Sequence, residues 1–513
     1  MKTLKTLESL TNRLLEIQRI NSAASVLSWD QETYMPAGGG EARAEQIATL
    51  QGFAHRQLVS PDTARLLEDW LDLQTGLPLE RDGDLWDESS RAFLREVWRD
   101  YSRAKKLPSD FVTRLSRECS LAQQVWTEAK TYNNFKAFLP NLRTVLLLKR
   151  EEAQYLGFEG TPYNALLDVY EPGSTVAALR PLFEQLKSRL VPLLKRIQQS
   201  PVQIDDTFLS HAYDQARQVE FGRLVLIAMG YDFERGRLDL SAHPFTTSFH
   251  PTDVRVTTRV SEHDLPSCLF SCIHEGGHGL YDQGLDPTHF GTPLGESVSL
   301  GIHESQSRLW ENCVGRSRAF WRFFYPILQA TFHHQLRAVD VEQFYAVINR
   351  VKPSLIRVEA DELTYNLHIM LRFEIEQELV EGRTKPDELP EIWNHKMEQY
   401  LGVVPSQDSE GVLQDVHWSM GGFGYFPTYT LGNLYAVQFY EQAKLEMPHI
   451  EDEIAAGQLM VLRRWLGQKI HRWGRMFTPD HLAQRVTGVS LSPDPFLRYI
   501  ERKYGELYRL DKG

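Results

Sequence analysis

Apolar residues recur every three or four positions along nearly the whole chain, and this spacing constrains the fold more than any other feature of the sequence. It runs through the long stretch Leu355 to Glu381 and through a second segment at Phe183, Leu186, Leu190, Leu193, Leu194 and Ile197. Residues at this spacing share one face of an α-helix, whereas a half-buried strand alternates with a period of two. Alternating runs are scarce, so we predict a mainly α fold with few short strands.

The length of the chain does not by itself divide it into domains. It has 513 residues, 42% of them hydrophobic, which is ample material for a core. No low-complexity linker or internal repeat interrupts the helical pattern. We therefore predict a single unit, residues 1–513, with helical lobes around a central cleft, and we expect residues 1–80 to form part of the wall of that cleft.

Charge and cysteine content exclude several classes of partner. Lys and Arg total 56 against 68 Asp and Glu, and the net charge of -12 disfavours nucleic acid and anionic lipid surfaces. The four cysteines are too few and too scattered for a disulfide framework, which favours a reducing compartment. The N-terminus is amphipathic, unlike a signal peptide, and no apolar run approaches the ~20 residues that span a bilayer. We predict a cytoplasmic protein without nucleic-acid or membrane partners.

The clearest strand signal lies directly before the most informative helix. Residues 253–260 alternate with a period of two, placing Val254 and Val256 on one face and Asp253 and Arg255 on the other. The following residues 261–264 resemble a capping box, and we predict a helix over about 262–283.

That helix contains the sequence His274-Glu275-Gly276-Gly277-His278, an H-E-x-x-H pattern. The spacing of four stacks both imidazoles on one helical face, where they can bind one zinc ion, and Glu275 can reach a water molecule there. The pattern lies in an otherwise apolar helix, where buried histidines and a glutamate would be costly without a partner. A catalytic zinc site needs a third protein ligand. Glu304 is our choice, 26 residues after His278, but spacing alone does not exclude Glu296.

Two further segments carry candidate substrate contacts. An aromatic and glycine-rich loop, residues 421–429, offers Tyr425 and Tyr429 as donors to a developing oxyanion. On the stretch after Ser354, polar residues recur at spacings of three and four and predict one face of a helix, lining a cleft or exposed to solvent. They are Arg357, Asp361, Thr364, Tyr365 and His368.

Taken together, the motifs resemble the carboxypeptidase Taq family of metallocarboxypeptidases. The matching segments are 29–36, 243–245, 253–257, 274–278, 303–306, 356–361 and 411–418, so the resemblance covers essentially the whole chain. It implies a helical zincin-type fold with a deep groove, similar to neurolysin and angiotensin-converting enzyme, commonly a homodimer, that removes C-terminal amino acids from peptides.

The resemblance also implies roles for individual residues. His274, His278 and Glu304 would hold one zinc ion per chain, for which cobalt often substitutes, and Glu275 would be the general base. The substrate contacts that the resemblance implies are Arg255, Arg357, His243 and His417. Of the two tyrosines of the loop, we assign the oxyanion to Tyr425 and a substrate contact to Tyr429, and we add Asp253 as a further predicted substrate contact. An arginine fork matches a terminal carboxylate bidentately, so Arg255 and Arg357 are both candidates for that contact.

Two other functions compete with the zinc carboxypeptidase. The first is an oligopeptidase of related fold that cuts internally, and the second is a non-catalytic protein in which the metal only joins helices. Structural zinc sites have four protein ligands, whereas this sequence offers three with an adjacent base, which favours catalysis.

Overall fold

The computed structural model describes residues 2–79 and 87–510, so the outermost residues of the predicted 1–80 and 1–513 regions lie outside the described residues. Helices dominate, and the predicted mainly α fold with few short strands is confirmed. The helices before the sheet are α1 (Lys2–Thr33), α2 (Gly40–Leu58), α3 (Pro61–Glu68), α4 (Glu88–Lys106), α5 (Ser109–Thr131), α6 (Phe135–Leu156), α7 (Pro162–Tyr170), α8 (Val176–Gln198) and α9 (Gln215–Met229).

The remaining helices follow the sheet. They are α10 (Leu265–Gly284), α11 (Leu300–Arg308), α12 (Arg318–Thr331), α13 (His333–Leu336), α14 (Val341–Ile348), α15 (Thr364–Glu381), α16 (Leu389–Leu401), α17 (Pro427–Glu446), α18 (Ile450–Ala455), α19 (Met460–Lys469), α20 (Pro479–Thr487) and α21 (Asp494–Leu507). None of the described helices is long and apolar enough to cross a membrane.

The sheet has three strands, β1 (Gly236–Leu240), β2 (Thr246–His250) and β3 (Asp253–Thr258), in the order β1-β3-β2. The central β3 pairs in parallel with β1 and antiparallel with β2. It is the predicted strand, two residues shorter at its C-terminal end. Val254 and Val256 are fully buried as the alternation predicts, and Val256 packs against Gly279 of α10.

Two predicted helix starts are wrong for the same physical reason, a carboxylate further along the chain that accepts backbone amides. α10 begins at Leu265, because the side chain of Asp264 accepts the Ser267 amide and a proline follows at the first turn. The stretch predicted to be helical from Leu355 is a short 3-10 turn at Arg357–Glu359, and α15 begins only at Thr364. There Asp361 accepts the amides of residues 352, 363 and 364, each at 3.0 Å.

Close helix packing surrounds the H-E-x-x-H segment. A Cβ on Gly277 of α10 would lie 2.6 Å from the carbonyl oxygen of Gln306, so only glycine allows α10 and α11 to approach this closely. A Cβ on Gly432 of α17 would lie 2.4 Å from the Cγ of Glu304. Two glycines therefore press α10 and α17 against the helix that carries Glu304.

Buried apolar side chains form two clusters in the described part of the chain. The larger one draws on residues from Ala122 to Tyr508 and includes residues of α10, α11, α15 and α17. The smaller one joins α1, α3 and α4 through residues such as Leu10, Leu67 and Phe93, and includes Leu294 from the loop between α10 and α11.

Candidate metal centre and active site

The two histidines of α10 and a glutamate of α11 converge on one point. The Nε2 atoms of His274 and His278 lie 3.6 Å and 3.3 Å from Oε2 of Glu304. One ligand atom from each of the three residues falls within 4.8 Å of the others, the arrangement that one shared cation requires. Glu296, the competing carboxylate, instead pairs with Arg475 at 3.1 Å. The geometry therefore supports Glu304 as the third ligand.

The start of α11 is fixed by polar contacts. The Ser299 side chain accepts the Ile302 amide at the N-cap, and the buried carboxylate of Glu171 accepts the Gly301 amide at 2.9 Å. Burial raises the pKa of Glu171 to about 7, even though its hydrogen bonds with the Ser299 side chain and the Gly301 amide lower it. Glu304 thus follows a helix start that is anchored from two sides.

A layer of charged residues supports the three candidate ligands. Glu311 Oε2 contacts His274 Nδ1 at 2.9 Å, and Arg308 donates to Glu304 at 2.7 Å and to Glu311 at 3.1 Å. Arg316 donates to the other oxygen of Glu311 at 3.1 Å. None of these three residues was predicted from the sequence. The signal that the sequence offered was their position four, seven and twelve residues after Glu304.

The charges of this layer decide the protonation of the site. Burial would raise the pKa of both Glu304 and Glu311, but Arg308 and the neighbouring histidines hold both below their usual range. Burial lowers the pKa of His278, whereas at His274 the charge of Glu304 and the contact with Glu311 outweigh burial and raise the pKa. A divalent cation binds ionised carboxylates and neutral imidazoles, so its binding displaces a proton from His274.

Glu311 lies on an unusual backbone. Directly after α11, residues Leu309–Val314 form a π-helix, a wider turn that is often found at functional sites. Glu311 and the preceding Arg308 both contact the candidate ligands across this junction.

Glu275 points to the sheet. Its Oε2 accepts a hydrogen bond of 2.7 Å from Thr246 Oγ1 of β2, and only 7% of the residue is exposed. The residue next to the first histidine is therefore held between α10 and β2, in an orientation fixed by a neutral donor.

Two tyrosines and a histidine gather at the start of α17. The rings of Tyr425 and Tyr429 lie 5.3 Å apart, His417 is 5.3 Å from Tyr425, and its Nε2 is 3.3 Å from the Tyr429 hydroxyl. Tyr429 precedes Gly432, which packs on Glu304, by three residues on the same helix. Burial raises the pKa of Tyr425 to about 12, with a further contribution from the charge of Glu304, so the phenol is a neutral donor near pH 7.

Arg357 is buried and already paired. Its guanidinium contacts Asp415 at 2.9 Å and donates to the Tyr365 hydroxyl at 2.8 Å. The Tyr365 ring lies under Arg308, 4.4 Å from the guanidinium carbon, which links Arg357 to the layer around Glu304. A solvent-exposed face, the alternative for the polar residues after Ser354, is excluded for Arg357 and for the fully buried His368.

The remaining predicted contacts lie at the sheet. Arg255 donates to Asp253 at 2.9 Å and 3.0 Å and lies over the ring of Trp29 at 4.3 Å. His243 is exposed in the loop between β1 and β2. Among the described residues, no hydrogen bond or ion pair joins Asp253, Arg255 or His243 to the three candidate ligands.

Comparison with known proteins decides the family. The carboxypeptidase Taq (M32) metallopeptidase family matches residues 9–504. The chain belongs to this family. Thermostable carboxypeptidase 1 of Thermus thermophilus is 44% identical over 515 residues, which cover 98% of this chain and 99% of that protein. Carboxypeptidase 1 of Bacillus subtilis is 37% identical over 497 residues, 97% of either chain.

Solved structures of the family share the fold over their full length. The M32 carboxypeptidase from Deinococcus radiodurans matches with a TM-score of 0.93 at 38% identity, covering 99% of this chain and 100% of that one. Metallocarboxypeptidase 1 of Trypanosoma cruzi matches with a TM-score of 0.91 at 36% identity, covering 98% and 99%. The predicted metallocarboxypeptidase, a metal-dependent hydrolase of peptide bonds, is confirmed.

Proposed function

We propose that His274, His278 and Glu304 hold one zinc ion, and that the protein uses it to remove amino acids from the free C-terminus of peptides. The observation that carries the proposal is that three ligand atoms from two helices lie within 4.8 Å of one another. Glu275 of the H-E-x-x-H segment is not one of these three ligands. Two imidazoles and one carboxylate leave a position open for catalysis, as in catalytic zinc sites.

The residues fit such an ion chemically. Glu304 is ionised, and a carboxylate contacts the Nδ1 atom of His274, which leaves its Nε2 free to bind. When bound, a divalent cation supplies Lewis acidity, which polarises the scissile carbonyl group and lowers the pKa of an attacking water molecule. Cobalt can take the place of zinc at this donor set.

Glu275 is the proposed general base. It accepts a proton from the attacking water and passes it to the departing amine, so that it is ionised again after each turnover. The hydrogen bond from Thr246 holds the carboxylate in one orientation during both transfers. Tyr425 is a neutral donor that feels the charge of Glu304, and it donates to the oxyanion. Tyr429 and His417 contact the substrate.

An arginine is proposed to bind the terminal carboxylate of the substrate. The Arg255 side chain is 19% exposed and the Arg357 side chain 6%, so Arg255 can take up a new partner with less rearrangement. Arg357 is instead linked to the candidate ligand Glu304 by successive contacts through Tyr365 and Arg308. Asp253 and His243, which lie at the sheet like Arg255, are also proposed to contact the substrate.

The test uses a panel of peptides with free and with amidated C-termini. We expect amino acids to be released one at a time from free acids, loss of release after treatment with a chelator, and recovery with zinc or cobalt. Efficient cleavage of the amidated peptides would favour an internally cutting oligopeptidase, and unchanged release without metal would contradict the proposal.

We also propose that the protein acts in the cytoplasm as a homodimer, with residues 1–80 lining the cleft of a single unit. The resemblance to the carboxypeptidase Taq family supports the dimer. Light scattering of the purified protein tests it, with a mass near twice 59.2 kDa as the expected result.

A further inference from the structure

A fully buried carboxylate on α15, Glu376, receives hydrogen bonds from three different segments. Tyr163 Oη donates to Oε2 at 2.6 Å, the Gly424 amide donates to the same oxygen at 2.9 Å, and Trp418 Nε1 donates to Oε1 at 2.8 Å. Glu376 belongs to none of the motifs described above, and among the described residues no hydrogen bond or ion pair joins it to the candidate ligands.

The positions of two of these donors in the chain are informative. Trp418 directly follows His417, and Gly424 directly precedes Tyr425. One carboxylate therefore holds both ends of residues 418–424, next to His417, a proposed substrate contact, and next to Tyr425, the proposed donor to the oxyanion. Gly424 has φ of +89°, and a Cβ there would lie 2.7 Å from the Leu166 carbonyl, so its amide has little freedom to move.

Glu376 is costly as a core residue. No ion pair to it exists among the described residues, and burial raises its pKa to about 7 against the effect of the three donors. An apolar side chain of similar size would avoid this desolvation cost only if the three donors had other acceptors. Polar residues retained against such a cost are found at functional sites.

We propose that Glu376 is a positioning residue that sets the places of Tyr425 and His417 relative to the metal centre. The inference rests on the roles proposed above for these two residues. Because it places Tyr425, the proposed donor to the oxyanion, Glu376 contributes to kcat more than to KM.

The test is Glu376→Gln, which keeps the size of the side chain but turns one acceptor oxygen into a donor facing another donor. A misplacement of about 1 Å in a catalytic group costs about 100-fold, so we expect kcat to fall about 10- to 100-fold. KM and bound metal should stay within about twofold. The matched control is Glu374→Gln on the same helix, where Tyr400 and Lys396 are the partners, and its kcat should be unchanged.

A second background separates positioning from a general structural role. In Tyr425→Phe, the additional change Glu376→Gln should lower kcat less than about threefold, since the hydroxyl of one positioned residue is gone and only the placement of His417 is still affected. Equal losses in both backgrounds, or a lower melting temperature with unchanged kcat, would overturn the proposal. If Tyr425→Phe alone keeps the parent kcat, the proposed role of Tyr425 fails. The effect of Glu376→Gln on kcat is then measured in His417→Ala, where an effect as large as in the parent would overturn the proposal for Glu376.

Folding of the variant does not limit the test. If Glu376→Gln fails to fold, Trp418→Phe removes one loop donor without placing a new donor beside the carboxylate. We then expect a three- to tenfold loss of kcat, and a parent-like kcat would overturn the proposal.

Discussion

Replacing Glu311 by Gln should weaken metal binding although Glu311 is not a proposed ligand. Its carboxylate contacts His274 Nδ1 at 2.9 Å in a buried setting, so it fixes the tautomer and the ring orientation that present Nε2 to the metal. Hydrogen bonds to charged groups contribute about 1.5–3 kcal/mol, and the neutral amide retains part of this. At about 1.4 kcal/mol per tenfold, we expect about a tenfold loss of zinc affinity.

The assay is competition for zinc between the metal-free protein and a chromophoric chelator of known affinity. Glu342→Gln is the control, because Glu342 is an exposed glutamate that pairs with Arg318 on the surface, and its zinc affinity should match the parent. Circular dichroism checks that both variants fold. A folded Glu311→Gln protein with zinc affinity within twofold of the parent would refute the positioning of His274 by Glu311.

Three further predictions concern stability, each measured by urea unfolding. Gly432→Ala places a Cβ against the Glu304 side chain, and overpacking should lower the free energy of unfolding by about 1–3 kcal/mol. The pKa of Glu171 in the folded state lies above its ordinary value of 4.5, so the stability that Glu171 contributes falls as pH rises from about 4.5 to 7. In Glu171→Gln, the free energy of unfolding should fall by about 3 kcal/mol less over this pH range than in the parent. An unchanged pH profile would contradict this. Arg357→Ala breaks a buried ion pair and should cost about 3–5 kcal/mol, whereas Arg255→Ala at a more exposed pair should cost less than about 1 kcal/mol, so equal losses would be inconsistent with the structure.

The sequence predicted local features of the site well, because they depend on helix geometry alone. A spacing of four puts His274 and His278 on one face of any helix, and the fold cannot change this. The third ligand depends on the path of residues 285–299. Spacing alone leaves Glu304 and Glu296 both open. The resemblance favours Glu304, and the tertiary contacts support it, since Glu296 pairs with Arg475, which lies far along the chain.

Periodicity misled the prediction where side chains compete for backbone groups. The polar residues after Ser354 follow helical spacing, yet the Asp361 side chain accepts backbone amides there and α15 begins only at Thr364. Arg357 therefore lies on a 3-10 turn, buried against Asp415, and not on an exposed or cleft-lining helix. No periodic signal identifies a residue such as Glu376, whose three donors come from segments distant in sequence.

The most direct test of the proposed mechanism is Glu275→Gln, measured for metal content and for release of C-terminal amino acids from free-acid peptides in the same preparation. Among the described residues, no hydrogen bond or ion pair joins the Glu275 side chain, which accepts from Thr246, to the three candidate ligands, so the variant should retain one metal ion per chain. Loss of the proton acceptor should reduce turnover by at least about 100-fold. Turnover at the parent rate with the metal in place would contradict the account of Glu275 as the base at a catalytic metal centre.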